Sequence, residues 1–125
     1  MKIDYINKVV REEAVIGAAY DPTYIIDNVR GYNQMVVNVE LTIGELDNAQ
    51  LRIEFSPDRV TWFRETAASV DGLISTDEPI VHRFERTANF AIPVPITTNY
   101  VRLAVAGNGD VTDSLMAINV DLGVN

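Results

Sequence analysis

The chain has 125 residues, of which 47% are hydrophobic and none is cysteine, and its formal net charge is −8. This length and apolar content predict one folded domain with its own core, and the lack of cysteine excludes a disulfide framework and thiolate metal sites. The acidic balance, with ten scattered basic residues, argues against a nucleic-acid-binding surface, and no apolar run approaches the ~20 residues of a membrane-spanning helix.

The N-terminal residues 1–12 carry mixed charge and only weak periodicity. We predict an N-terminal arm there, which could include a short edge strand, followed by a single domain over residues 13–125. The arm is either a frayed end or an extension that docks on a neighbouring subunit. In the second case Tyr5 and Ile6 are candidate contact residues. Because the first residues lack the apolar segment of a secretion signal, we expect synthesis in the cytoplasm.

The rest of the chain alternates apolar and polar residues with a period of two, which places every second side chain on one face of a strand. The clearest example runs from Met35 through Val37 and Val39. Seven or eight strands are predicted, in residues 13–20, 23–30, 34–43, 51–56, 60–66, 80–96, 100–106 and 115–122. A helix is an alternative for the first segment, but Asp21 and Pro22 would end it after a few residues.

Turn residues separate these segments. Pro57 sets the backbone for the first corner of a type I turn and Asp58 suits the next position, so the two flanking segments are predicted to form a hairpin. Gly107 and Gly109 permit the positive φ that a hairpin between the last two strands often requires. Residues 67–79 have no clear period and are predicted to form the longest loop.

We take this long loop as a second candidate contact region, because loops of its length in a compact domain are often functional. Its most apolar pair, Leu73 and Ile74, are the candidate contact residues within it. They join Tyr5 and Ile6 as positions from which the protein could bind a partner.

Short strands at a spacing of about ten residues are typical of a sandwich or a jelly roll. We therefore predict an all-β protein, an antiparallel β-sandwich that is jelly-roll-like, with seven or eight strands. Pro93 and Pro95 cannot donate hydrogen bonds to a neighbouring strand, so this part of the chain is expected at a sheet edge or outside the sheet.

Nothing in the sequence has the spacing of a catalytic site. His82 is the only histidine, so it cannot form a histidine cluster, and the motifs of serine hydrolases, phosphate-binding loops and zinc proteases are absent. Three carboxylate pairs occur in predicted turns, at Glu45 with Asp47, Asp77 with Glu78, and Asp110 with Asp113. None has EF-hand spacing, so ordinary solvated acids are favoured over bound calcium. We predict a protein that is not an enzyme and that holds no cofactor and no metal.

Trp62 is the only tryptophan. In a strand its side chain and that of Phe63 point to opposite faces, which predicts that one of the two lies in the core. Trp62 in the core is the favoured interpretation. An exposed Trp62 could instead stack on a sugar ring or anchor an interface.

Two segments resemble known β-sandwich proteins. In the first, a strand starting at Leu51 runs into Ser56-Pro57-Asp58 and, after a turn, into a Thr-Trp pair ending at Trp62. In the second, near the C-terminus, Tyr100 and Arg102 form a Tyr-x-Arg pattern. Discoidin-type sugar-binding domains share these elements, although they are usually longer and often closed by a disulfide. The chain is also similar, over most of residues 20–123, to small jelly-roll virion proteins of tailed bacteriophages.

The phage resemblance implies a structural protein that decorates or cements a capsid through protein–protein contacts. It implies a homo-oligomer, with a trimer favoured, bound to the major capsid protein on the virion surface after synthesis in the host cytoplasm. No nucleic acid and no membrane would be bound. The alternative is a carbohydrate-binding β-sandwich module, as in a phage fibre or baseplate, that stacks sugars on Trp62 or on exposed tyrosines.

Overall fold

The computed structural model describes residues 5–26, 29, 31–66 and 79–124, and in these residues the chain forms nine β-strands and no helix. The strands are β1 (Tyr5–Ala14), β2 (Asp21–Ile26), β3 (Gln34–Thr42), β4 (Leu46–Ser56), β5 (Phe63–Arg64), β6 (His82–Phe84), β7 (Ala88–Pro95), β8 (Tyr100–Gly109) and β9 (Leu115–Gly123). The predicted all-β class is confirmed. The described part of the chain therefore offers no helix that is long and apolar enough to span a membrane.

Two antiparallel sheets make up the sandwich. One has four strands in the order β1-β9-β3-β7, and the other has five, in the order β2-β8-β4-β5 with β6 also paired to β4. The first strand thus pairs with the last, the second with the eighth and the third with the seventh, while β5 and β6 pair with opposite halves of β4. This nested pairing is the jelly-roll arrangement. Nine strands form rather than seven or eight because the predicted segment 80–96 is divided into β6 and β7.

The core fills the space between the two sheets. Alternate residues of β3 are buried, and so are the alternate residues of β9 that lie opposite them, such as Val37 against Val120 and Val39 against Ile118. The largest fully buried side chains are Ile16, Met35, Leu51, Ile53, Leu103, Met116, Ile118 and Leu122. Burying each contributes about 1.5–3 kcal/mol relative to exposure, so alternation along the strands is what fixes the two-layer fold.

The N-terminal segment belongs to a sheet. Residues 5–12, predicted to form an arm that could include a short edge strand, lie in the edge strand β1 of the four-stranded sheet. The strand predicted over residues 13–20 is wrong beyond Ala14, because residues 15–20 cross from one sheet to the other. Ile16 enters the core during this crossing, and the amide of Gly107 donates to the carbonyl of Gly17 at 2.8 Å.

The predicted hairpin around Pro57 is confirmed, but its second strand is short. Glu54 pairs with Arg64 and Phe55 with Phe63. The turn extends further than expected because the Asp58 carboxylate accepts hydrogen bonds from the amides of Val60 and Thr61 at 2.9 and 2.8 Å. These bonds hold residues 60–61 in the turn and leave only two residues for β5.

Two neighbouring strands are longer than predicted. The strand β4 begins at Leu46, inside a stretch predicted as polar loop, and β8 continues to Gly109, inside the predicted glycine loop. The two extensions pair with each other, with Ala49 opposite Gly107 and Leu46 opposite Gly109. Each extension is stabilised by its hydrogen bonds to the other, and the local composition of either segment does not reveal this pairing.

Candidate functional site

The free edge of β1 carries two of the predicted contact residues and a third exposed apolar side chain. Tyr5 and Ile6 are each 48% exposed, and Val9, three residues further along, is 62% exposed. In the described part of the chain β1 forms a ladder with β9 alone, so its opposite side has backbone groups that no strand occupies. We call this surface, formed by Tyr5, Ile6, Asn7, Lys8 and Val9, the β1 edge.

The β1 edge is the regular half of its strand. Tyr5 to Val9 pair one to one with Gly123 to Asn119 of β9, and the register shifts only after Val9. This shift, before Arg11, and a second one after Arg11 distort the second half of the strand. A regular, extended backbone of this kind can accept another strand, whereas a bulged one is twisted away from pairing.

Arg11 fixes the position of β1. Its side chain is buried and donates hydrogen bonds to the carbonyls of Ala14, Val15 and Met116 and to the hydroxyl of Tyr24. Its guanidinium carbon also lies 5.7 Å from the centre of the Tyr24 ring. Because Tyr24 belongs to β2, Arg11 ties the edge strand of one sheet to the edge strand of the other.

A recess opens beside the β1 edge, where the two sheets meet. It has a volume of about 220 Å³ and is lined by Lys8, Val9 and Val10 from β1 and by Ile25 and Ile26 from β2. Four of these five side chains are apolar. An apolar side chain from outside the molecule could therefore lie in the recess while its backbone pairs with the β1 edge.

A polar network crosses the outer face of the four-stranded sheet from β1 to β3. The amide nitrogen of Asn7 donates to Asn119 at 2.8 Å and to Asp121 at 2.9 Å. The amide nitrogen of Asn38 donates to the same two residues at 3.0 and 2.9 Å. These bonds join three strands and hold the β1 edge in line with the rest of its sheet.

Trp62 lies outside the core, so the favoured prediction that it fills the core is wrong. Its ring covers the guanidinium of Arg102, with 4.2 Å from the Arg102 guanidinium carbon to the ring centre. Arg102 also donates to both carboxylate oxygens of Glu54, at 3.2 and 3.1 Å. Phe63 is 57% exposed, and neither aromatic residue is in the core because Trp62 still belongs to the turn that precedes β5.

A second arginine–aromatic pair lies nearby on the outer face of the five-stranded sheet. The guanidinium carbon of Arg52 is 3.5 Å from the centre of the Tyr20 ring, and the Tyr20 hydroxyl donates to Gln50 at 2.6 Å. We call Tyr20, Arg52, Glu54, Trp62 and Arg102 the arginine–aromatic strip. Sequence reasoning missed it, although Arg52 and Glu54 alternate with buried Leu51 and Ile53.

The remaining predicted residues do not join either surface. His82 lies on β6, and its Nε2 is 2.9 Å from a carboxylate oxygen of Glu65. Leu73 and Ile74 lie outside the described residues. Tyr20 and Tyr24 contact different arginines, Arg52 and Arg11, so they do not form one patch. Among the residues that the structure describes, no three or more histidine, aspartate or glutamate side chains lie together in a group that could hold a metal ion.

Comparison of the sequence with protein-family models and with curated proteins finds no match to either. Among the described residues no strand pairs with the outer side of the β1 edge, where Tyr5, Ile6 and Val9 expose apolar side chains, and this suits a protein partner. The arginine–aromatic strip offers rings already covered by guanidinium groups.

Proposed function

We propose that this chain is a structural virion protein that decorates or cements a phage capsid as a homo-oligomer, through protein–protein contacts and without catalysis. The observation that supports a role in an assembly is the β1 edge. Soluble monomers usually protect a long edge strand with proline, charge or a covering segment. An edge that no strand covers in the described part of the chain, and that also exposes Tyr5, Ile6 and Val9, is typical of a surface that a partner covers.

The fold is compatible with this role and does not select it. Jelly rolls include both viral capsid domains and lectins, and one fold carries many functions. The capsid assignment itself comes from the resemblance around Ser56-Pro57-Asp58 and Trp62. The edge adds a physical reason to favour assembly over ligand binding.

The test is binding to capsids encoded by the genome that carries this gene. Purified protein is mixed with capsids assembled without it, and the mixture is separated on a density gradient. We expect saturable co-sedimentation in a fixed ratio to the major capsid protein. A protein that stays at the top of the gradient at every concentration, or a genome without a capsid gene, would refute the proposal.

A carbohydrate-binding module is the second candidate, and the position of Trp62 favours it. The ring lies on the outer face of a sheet and not in the core, as stacking on a sugar requires. Arg102 already covers one face of the ring at 4.2 Å. A sugar would therefore have to use the opposite face or displace the guanidinium.

Because Trp62 is the only tryptophan, its fluorescence reports on this candidate directly. A sugar that stacks on the ring should shift or quench the emission in a saturable way, and the Trp62→Phe variant should bind it more weakly. The Phe63→Leu variant is the matched control, since it changes the neighbouring exposed ring. Unchanged emission across a panel of neutral and acidic glycans removes this candidate.

A further inference from the structure

The sandwich has four edge positions, and three of them are protected. At β7 the free edge carries Pro93 and Pro95, and β2 is six residues long with Pro22 near its start and an irregular register. At the fourth position β5 and β6 have only two and three residues. In contrast, β1 has ten residues with no proline and no glycine. Proline, short length and an irregular register are devices by which natural sheets prevent edge pairing. The regular half of β1 has none of these three, and Lys8 is its one charged residue.

We propose that the β1 edge pairs with the β1 edge of a second copy of this chain. The two strands run antiparallel about a twofold axis that passes beside Asn7, and the two four-stranded sheets join into one sheet of eight strands. The inference names the partner of the surface on which the proposed function depends.

The sequence of the β1 edge complements itself in this register. A twofold axis at Asn7 places Tyr5 opposite Val9 of the second copy, and Ile6 opposite Lys8. Tyr5 and Val9 then form an aromatic and β-branched pair on the outer face, twice per dimer. Pairs of this kind stabilise antiparallel sheets, and no two like charges face each other directly.

The recess beside β1 receives the remaining apolar side chain. Ile6 and Lys8 alternate with Tyr5, Asn7 and Val9, so they point toward the seam between the sheets. The second copy's Ile6, lying opposite Lys8, is therefore placed at the recess of about 220 Å³ that Val10, Ile25 and Ile26 help to line. A side chain that is 48% exposed in the single chain gains an apolar site.

Charge also favours this edge for contact between copies. Each copy carries a formal net charge of −8, so two copies repel each other over most of their surfaces. The stretch from Tyr5 to Arg11 contains Lys8 and Arg11 and no acidic residue. The copies thus meet along a stretch that adds no acidic residue to the contact, and added salt, which screens the repulsion between the remaining surfaces, should strengthen the dimer.

The size of the contact predicts a weak dimer. The five residues that pair in this register, Tyr5 to Val9, span about 17 Å, and a contact of that length buries less than the ~1,200 Å² at the lower end of specific interfaces. We expect a dissociation constant in the micromolar range. Because each copy uses the same surface, the contact closes at two copies and replaces the trimer that the resemblance implies.

Sedimentation equilibrium from low micromolar to millimolar concentration measures this association. The wild-type mass should rise from one chain to two, and Ile6→Lys or Val9→Lys should raise the dissociation constant at least tenfold. Val60→Lys is the matched control, because Val60 is 80% exposed in the turn before β5, away from the β1 edge. This variant should dimerise as the wild type does. Unchanged melting temperatures show that the variants fold.

Cross-linking tests the register, because the chain has no cysteine of its own. The Asn7→Cys variant should form a disulfide with itself, and Tyr5→Cys should do so with Val9→Cys when the two are mixed. Val60→Cys, as the control, should cross-link far more slowly. A single chain at every concentration, a mass of three chains, or cross-links that do not follow this register would overturn the inference.

The two proposals fail separately. A wild-type dimer that does not bind capsids refutes the capsid role and leaves the β1 pairing intact. A protein that binds capsids but remains a single chain in solution, with Val9→Lys binding as well as the wild type, refutes the pairing alone.

Discussion

The two edge strands of the four-stranded sheet, β7 and β1, differ in how they treat the backbone groups on their free sides. At β7 the prolines at positions 93 and 95 lie opposite Val36 and Gln34 and remove backbone donors from the free side. At β1 the free side keeps its donors and adds exposed apolar side chains. One edge of this sheet thus carries two prolines, and the other, over Tyr5 to Val9, carries none.

The contacts that close each edge onto the opposite sheet differ as well. Near β7 the seam is aromatic, since the rings of Phe84 and Phe90 stack with their centres 4.5 Å apart. Near the second half of β1 the seam is closed by a polar contact, in which Arg11 donates to the hydroxyl of Tyr24 at 3.1 Å. Because hydrogen bonds are directional, those of Arg11 hold β1 in one position. They are made on the inner side of the strand and do not involve its outer edge.

The largest expected effect comes from removing these hydrogen bonds of Arg11. Arg11→Met preserves much of the side-chain volume but leaves four acceptors, including the carbonyls of Val15 and Met116, without their donor. Loss of a buried, fully hydrogen-bonded cation is expected to cost about 3–5 kcal/mol. Chemical denaturation at pH 7 measures the free energy of unfolding.

The control for this variant is Arg86→Met, at an exposed position between β6 and β7. It should change the free energy of unfolding by less than about 0.5 kcal/mol. If Arg11→Met were as stable as the control, β1 would be held by its ladder with β9 alone, and the contrast between the two seams would disappear.

The second prediction removes the protection at β7. Replacing Pro93 and Pro95 together by threonine restores two backbone donors on the free side of the edge, and threonine favours extended strands. We expect new self-association or aggregation that Val9→Lys does not suppress. Light scattering against concentration measures it, with Pro57→Thr as the control for loss of a proline away from any edge. A variant no more associated than wild type would mean that the prolines do not protect this edge.

Much of the fold could be predicted because burial alternates strictly along the central strands. The run from Met35 through Val37 and Val39 predicts β3 correctly, since each apolar residue lies between the sheets and each neighbour lies outside. The same alternation fails in β1, where Arg11 occupies a buried position. Its burial depends on acceptors from three separate segments, of which two supply carbonyls and the third supplies the Tyr24 hydroxyl, and hydropathy cannot show this.

The candidate site was predicted only in part for similar reasons. Tyr5 and Ile6 were chosen as contacts, and both are exposed on β1. Val9 was missed because it precedes another valine, and only the register shift after it decides which of the two faces outward. The position of Trp62 could not be deduced, since it depends on where the turn ends, and the hydrogen bonds of Asp58 determine that.

The third prediction concerns the polar network that holds the β1 edge in line with the sheet. Asn119→Ala removes the oxygen that accepts from both Asn7 and Asn38. Since the network is only partly buried, we expect a loss of about 1 kcal/mol in the free energy of unfolding and weaker dimerisation. Asn89→Ala, exposed on β7, is the control and should change neither. Dimerisation unaffected by Asn119→Ala would mean that the network does not align the edge.

The smallest expected effect is a pH dependence at the polar seam. Hydrogen bonds from the hydroxyl and the amide of Thr23 lower the pKa of Asp21 below its ordinary value of 3.8, and the charge of Arg11 adds a smaller contribution. A carboxylate with a lowered pKa stabilises the folded state above the unfolded pKa, and this stability is lost as the pH falls through the folded pKa. The wild type should therefore be more stable than Asp21→Asn at pH 7, and the difference should vanish well below pH 3.8. Denaturation curves at several pH values measure it. Since Thr23 is the main cause, the dependence should survive Arg11→Met in any sample that still folds, and its loss there would mean that the arginine, and not the local turn, sets the pKa of Asp21.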